Sequence, residues 1–390
     1  MINLKYLSFS VFMLLSCFSY VSFSLNSMDS QIWHFFVMPF CFLFFRSKAA
    51  WFTVAPELVL SLVVFVFLFF SGFTFIELRS LGSYWSLLFT IVVTVFALAC
   101  GLKDRFYILV CSVSLLYFFG GLAQIVFGKF IFEFLVHVRT TPERGVTSFA
   151  AEPSYYATIT IILSWLILIY SDYRPSVFGK IALFCNLCSI SLLAQSAIGI
   201  VYILLAVSII SVSKVSFSRI LMFTSAIGGL FFVVGLTDGR VSALSSLILE
   251  GGLYDLFMSD ASVNLRVAHA FLPIYISLDN LLFPFFYGNY STVSLLYANE
   301  FQHIFWYKGF GGERIMSFVG AMIFELGLIA LLYLLSFVIR AFWFCRKPSR
   351  KIMEMIFLFA LLVSAVPIAM PLVGILFGSL IGQRSYTFAK

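Results

Sequence analysis

Charge is what this sequence most lacks. Only 11% of its 390 residues are Asp, Glu, Lys or Arg, against about 25% in soluble globular domains. That shortage excludes a soluble globule and the highly charged disordered classes. Histidine is scarce too: there are four, without an HxxxH or other ligand-like spacing, so no metal and no other cofactor is expected. No glycine-rich nucleotide loop occurs, and no internal repeat is visible. The seven cysteines fall in apolar runs or in a Lys/Arg-rich connection, which argues against a disulfide framework. Cys185 and Cys188 form a CxxC, but inside an apolar run packing is the expected role. The 24 Lys and Arg are scattered in ones and twos, so nucleic acid is not an expected partner.

What the chain has is apolar surface: 62% hydrophobic residues, 50 of them Phe, and a mean hydropathy of +1.07. It reads as an all-α polytopic membrane protein. Segments of about 20 apolar residues are needed to cross a bilayer. They occur near 5–25, 31–45, 57–76, 82–101, 106–127, 154–171, 181–195, 197–213, 220–237, 316–339 and 353–374, about eleven spans within a range of ten to twelve. The first resembles a signal sequence, but no small-x-small cleavage site follows it, so it is expected to stay as a span. The tail to 383 is long for one span and short for two.

Basic residues set the orientation. With the N-terminus inside, Lys5, Arg46, Lys48, Lys103, Arg105, Arg174, Lys180, Lys214, Arg219, Arg340, Arg346, Lys347, Arg350 and Lys351 fall on the cytoplasmic side, fourteen of the 24. The chain then divides into five helices in 1–127, an external loop 128–153, four helices in 154–237, a second external loop 238–315, and the last helices in 316–390.

Specific chemistry is expected in these two long loops. The first opens with an apolar, aromatic stretch and ends in Glu152-Pro153-Ser154, suited to starting a helix. The second carries short amphipathic pieces, too interrupted to span and expected to pack as a lid. Net charge does not distinguish either loop. Their seven basic residues are Lys129, Arg139, Arg144, Arg240, Arg266, Lys308 and Arg314, and five of the seven are Arg, whose planar fork grips phosphate bidentately. Two roles stay open for them: an external site for a phosphorylated lipid, or interfacial anchors and salt-bridge partners.

The stretch Arg144-Gly145-Val146-Thr147-Ser148-Phe149-Ala150-Ala151-Glu152-Pro153-Ser154, followed directly by a span, resembles a segment of bacterial O-antigen polymerases and related polysaccharide polymerases. Similar to the family as well are the span pair LCSISLLAQSAIGIVYILL, a late loop with Ser262 and Arg266 before Pro284 and Gly288, and a span carrying Phe324-Glu325-Leu326-Gly327. Some members show an arginine, ten residues and a glycine. Only Arg240 to Gly251 fits that count here.

The resemblance implies a GT-C-like transferase at the outer face of the bacterial inner membrane. Such an enzyme moves a glycan from undecaprenyl diphosphate onto a new lipid-linked repeat unit in the periplasm, and a chain-length regulator is a further expected partner. O-antigen ligases share the superfamily but tend to carry a His just before the Glu-x-Gly span, where this chain has Met316 and Ser317. A flippase-type transporter is the alternative of another class. It would be expected to show paired halves or broken helices around a midplane cavity.

The leaving diphosphate develops negative charge, so arginines aimed at it stabilise the transition state. Arg144, Arg266 and Arg240 are nominated in that order, with Arg314 and Arg139 behind them. Glu152 can orient or deprotonate the acceptor hydroxyl, or simply sit at a helix N-terminus and favour its dipole. Glu325, deep in its span, is either a site residue or a hydrogen-bond partner of a neighbouring helix. Tyr155 and Tyr156 can stack on sugar rings or serve as interfacial tyrosines.

Overall fold

The computed structural model describes residues 4–22, 33–141, 144–213, 252, 254–255, 257–306, 310, 312, 314–343, 348–364 and 366–387. Every element among them is helical. Among the described residues four helices are long and apolar enough to cross a membrane: α3 (Lys48–Ser71), α4 (Phe75–Ala99), α5 (Lys103–Phe127) and α6 (Pro153–Tyr170). The chain is thus a helical membrane protein. Several expected spans are shorter. The described residues of 5–25 and 31–45 form α1 (Leu4–Cys17) and α2 (Trp33–Phe42), about 21 and 15 Å long at 1.5 Å per residue. The expected span 220–237, together with Arg240 and Gly251, lies outside the described residues.

Contacts divide the chain into two compact units: 1–52, 90–243 and 371–390 form one, and 53–89 with 244–370 form the other. In the first, α5 packs on α6 and on α7 (Val177–Cys188), while α1 pairs with α2. The last helix, α15 (Pro371–Thr387), lies against α6, with Tyr170 and Ser379 hydroxyls 2.7 Å apart. Gly378 permits a close approach to α4: a Cβ there would lie 2.7 Å from that of Thr94. The two ends of α5 differ in chemistry. At its start Lys103 pairs with Asp172 at 2.5 Å, Arg105 lies over the Tyr6 ring and Lys5 donates to Cys100 O. These are residues that the basic-residue count assigns to one side. At the other end of α5 sits the loop 128–152.

α7 does not run smoothly into α8 (Ala197–Ser213). Residues Ser189–Leu193 form a π-helical turn closed by Ala194 N–H to Ser189 O, and Gln195 then takes φ +43°. Such turns recur at functional sites.

In the second unit α9 (Ala261–Asp279) is one helix of 19 residues that contains the amphipathic stretch 264–278. Asp260 caps it, accepting from Val263 N–H, and Asn264, Ala268, Leu272 and Ile276 form its buried stripe. Pro273 removes one N–H from the helix, and its carbonyl accepts the Ser277 hydroxyl at 2.7 Å. After α9 come α10 (Tyr290–Leu296) and α11 (Ala298–Phe301).

The expected span 316–339 is broken into α12 (Phe318–Leu326) and α13 (Leu328–Phe342) at Gly327, whose φ is +58°. The cause is the preceding loop. Leu282 O accepts Leu328 N–H at 3.0 Å, while Phe285 and Phe286 N–H donate to Phe324 O and Glu325 O. The broken ends are therefore satisfied by protein, the condition under which irregular backbone survives inside a membrane protein. A second interruption, at 366–370, divides the expected span 353–374 into α14 (Pro348–Ser364) and α15.

A Cβ on Gly327 would lie 2.2 Å from Leu282 O. Gly327→Ala should accordingly destabilise by about 2–4 kcal/mol, combining a strained φ with backbone displacement. Gly82→Ala in α4, where nothing lies within 4 Å of the new methyl, should be neutral or slightly stabilising. Thermal unfolding of both variants in detergent checks this, and equal midpoints would remove the steric argument.

Candidate functional site

The stretch Arg144–Ser154 is a built loop. Its anchor is Gln124, 1% exposed near the end of α5. The Gln124 Oε1 accepts the N–H groups of Thr147 (2.9 Å) and Ser148 (2.6 Å). Its Nε2 donates to Lys129 O (2.8 Å) and Thr147 Oγ1 (3.1 Å). The whole donor and acceptor capacity of the amide is spent on this loop. Ser148, at φ +51°, donates its hydroxyl to Tyr117 O. Gly145 is required where it stands, since a Cβ would lie 2.1 Å from Ala194 O. Next to it Val146 N–H reaches Leu193 O at 2.9 Å, at the end of the π-helical turn.

Lys129, Arg139, Arg144 and Glu152 bring charge to this loop as well. The Lys129 ammonium donates to the main-chain carbonyls of Arg144 and Thr141, and partial burial lowers its pKa below the usual lysine value. Arg139 N–H donates to Ala151 O at 2.7 Å, and Arg139 Nε lies 3.3 Å from Glu152 Oε1, with both side chains partly exposed. Glu152 occupies the N-cap position of α6, yet its carboxylate accepts no capping hydrogen bond. It turns to Arg139 and to the Ser154 hydroxyl, 3.4 Å away. The Arg144 main chain is fixed, its N–H donating to Thr141 O. Its half-buried guanidinium has no ion-pair partner among the described residues. The structure thus brings Arg139, Arg144 and Glu152 into one scaffolded loop.

The two tyrosines part company. Tyr155 is half-buried and stacks on Tyr20, with centroids 5.2 Å apart. Tyr156 is 0% exposed, its hydroxyl bonded to Tyr117 O and Ser189 Oγ. Its place as a sugar-stacking ring does not hold, because the face such a ring needs is packed between helices.

In the second unit Arg266 lies half-buried on α9 and Arg314 is exposed just before α12. One turn along α9 from Arg266, His269 is 3% exposed and its Nδ1 accepts Met316 N–H at 3.0 Å. That bond fixes the neutral ring's proton on Nε2. Glu325, the last-turn carboxylate of α12, accepts the Tyr84 hydroxyl at 2.6 Å. This is the neighbouring-helix bond the sequence left open. Among the described residues no three His, Cys, Asp or Glu gather as a metal-binding group.

Gln124 and Tyr84 were not foreseen. Gln124 had a signal, since a lone amide near the end of an apolar run must find partners. Gln124→Ala strands two buried N–H groups, each costing about 1–3 kcal/mol. Hydrogen exchange at the Thr147 and Ser148 amides should lose protection in Gln124→Ala and keep it in Gln124→Glu, which retains the acceptor. Unchanged protection in the alanine variant would show that the loop does not depend on this clamp. No protein-family model matches the chain, and no curated protein matches it either.

Proposed function

We propose that the chain is a polysaccharide polymerase: a glycosyltransferase of the bacterial inner membrane that joins undecaprenyl-diphosphate-linked repeat units at the periplasmic face. The observation that carries this reading is the loop just described. The stretch resembling O-antigen polymerases is also the one that a buried amide fastens in place, with a guanidinium that has no ion-pair partner among the described residues near one end and a carboxylate near the other. The eleven-span, GT-C-like architecture and the outward orientation belong to the same proposal.

In this chemistry the acceptor hydroxyl oxygen attacks the anomeric carbon of the donor. The bond from that carbon to the diphosphate oxygen breaks, and undecaprenyl diphosphate departs with the electron pair. Arg144 compensates the charge appearing on the diphosphate. Glu152, a weak base held beside Arg139, receives or orients the acceptor proton.

Two readings compete, each with an observation of its own. The break at Gly327 and the π-helical turn before α8 are interruptions of the kind transporters place at their binding sites. The contact of His269 with Met316 N–H sets a histidine beside the position where ligases tend to carry one in sequence.

A null strain supplied with its cognate repeat units separates all three. For a polymerase, surface glycan should show capped single units and no long chains. Units trapped on the inner leaflet would identify a transporter, and lipid-linked polymer that never reaches its acceptor would identify a ligase. Either result removes the polymerase.

A further inference from the structure

Between α9 and α10 the chain first turns through Asp279-Asn280-Leu281-Leu282-Phe283-Pro284, where the left-handed residues are leucines, at φ +54° (Leu281) and +59° (Leu282); Phe286 (φ +60°) and Gly288 (φ +76°) follow further on. A turn facing water normally gives such positions to glycine or asparagine, because a Cβ is costly there. Asn280, immediately before them, takes φ −97° instead. Leu282 has a structural reason: its N–H donates to Ser277 O and its carbonyl accepts Leu328 N–H at the helix break. Leu281 has no comparable one. Its N–H closes a local turn onto Leu278 O, and the residue is 92% exposed.

It is not alone. Phe283 is 70% exposed, Leu278 57%, and Leu295 and Leu296, at the end of α10, 56% and 79%. The two segments are joined there, because Tyr297 donates to Asp279 Oδ2 at 2.7 Å and Asn280 Nδ2 donates to the Tyr297 hydroxyl at 3.0 Å. All five large apolar side chains lie within three residues of that joint in sequence. Beside it Tyr275 donates to Glu300 Oε1 at 3.1 Å. A cluster of large exposed apolar side chains about one joint marks a contact surface, and tyrosines hydrogen-bonded beside it are the usual residents of a membrane–water boundary.

We propose that the 278–283 turn, with Leu295 and Leu296, is a finger inserted into the bilayer, its partner being lipid hydrocarbon. Tyr275, Tyr297, Asp279 and Glu300 mark its polar rim. Charge distinguishes this from headgroup binding: from Asp279 to Glu300 the sequence holds no Lys or Arg, so nothing there grips phosphate and the attachment is apolar. The chain already contains helices fit to cross a membrane, so the bilayer lies within reach without a second protein. The finger gives part of the external loop 238–315, whose amphipathic pieces the sequence reads as a lid, a contact with lipid instead. It also gives the strained leucine turn a reason, since a glycine or asparagine there would bring no apolar side chain to the lipid. The proposal does not depend on the catalytic reading.

A benzophenone amino acid in place of Phe283, and separately of Leu296, tests it in the full chain reconstituted in phosphatidylethanolamine–phosphatidylglycerol vesicles. Phe283 offers an aromatic-for-aromatic exchange and Leu296 lies outside the strained turn, so a folding defect at one site leaves the other readable. Irradiation followed by mass spectrometry should give phospholipid adducts at both positions. Their yield should be at least tenfold above that of the same probe at Asp172, an exposed turn residue at the basic end of α5. Lipid adducts no more abundant than at 172, or adducts mainly with a second copy of the chain or another protein, would overturn it.

Discussion

Arg144→Ala should lower chain extension about 10²- to 10³-fold while leaving the protein folded and in the membrane. Losing one charge-assisted donor aimed at a developing anion typically costs that much. The variant is interpretable because the loop is not held by this side chain. Its fastenings are Gln124 to the Thr147 and Ser148 N–H groups, Lys129 to the Arg144 carbonyl, and Val146 N–H to Leu193 O. All of these survive truncation to alanine. Arg144→Lys keeps the charge and loses the planar fork, so it should rescue only part of the activity, whereas a mere interfacial anchor would accept lysine with little loss. Chain-length distribution of surface glycan, read together with the level of membrane-inserted protein, gives the answer. Normal polymer from well-expressed Arg144→Ala removes this residue from the site, and the reading of the loop as the diphosphate site goes with it.

Glu152 and Arg139 add a constraint. Their pairing at 3.3 Å means the carboxylate is not idle before substrate arrives. On the proposed mechanism an incoming diphosphate would compete with Glu152 for Arg139, and the carboxylate would serve as a base only as far as that competition frees it. Arg139→Ala would therefore unpair the base as well as remove a cation, and on its own it distinguishes the two roles poorly. Arg144, with no such partner among the described residues, is the cleaner probe.

Long apolar runs were legible because they state their own solution: α3 to α6 are helices since a chain at such depth must satisfy every N–H and C=O internally. In the loop 128–152 one motif, Arg144 to Ser154, marks the candidate site in the sequence. The loop's rigidity was not legible there, because that comes from Gln124 and from the π-helical turn at 189–193, contacts more than twenty residues away. Gly327 shows the limit most plainly. Within an apolar span a glycine is tolerated in a continuous helix at little cost, so hydropathy reads 316–339 as one segment. What breaks it is the Leu282 carbonyl, delivered by a loop some 45 residues earlier. Tyr156 misled for a related reason. A tyrosine after a loop can face water or a helix neighbour, and only the distant Ser189 and Tyr117 decide.

The largest stability effect should come from Arg340. On α13 its guanidinium holds Glu57 of α3 in a fork, Nη1 to Oε2 at 2.8 Å and Nη2 to Oε1 at 2.7 Å, and Nη1 also donates to Thr53 O. Tyr333 adds its hydroxyl to the same carboxylate at 3.2 Å. The Glu57 side chain is 0% exposed and that of Arg340 17%, so removing the cation strands a buried charge. Arg340→Ala is expected to destabilise by about 3–5 kcal/mol, and Arg340→Lys, which supplies the charge without the fork, by less. The pair is not by itself evidence of net stabilisation, because two charges were desolvated to make it. Replacing both partners, as Glu57→Leu with Arg340→Met, should recover most of the loss or exceed the wild type. Thermal midpoints of the single and double variants in one detergent decide the matter. A double variant as unstable as Arg340→Ala would show that the ion pair, rather than the volume it fills, holds α3 to α13.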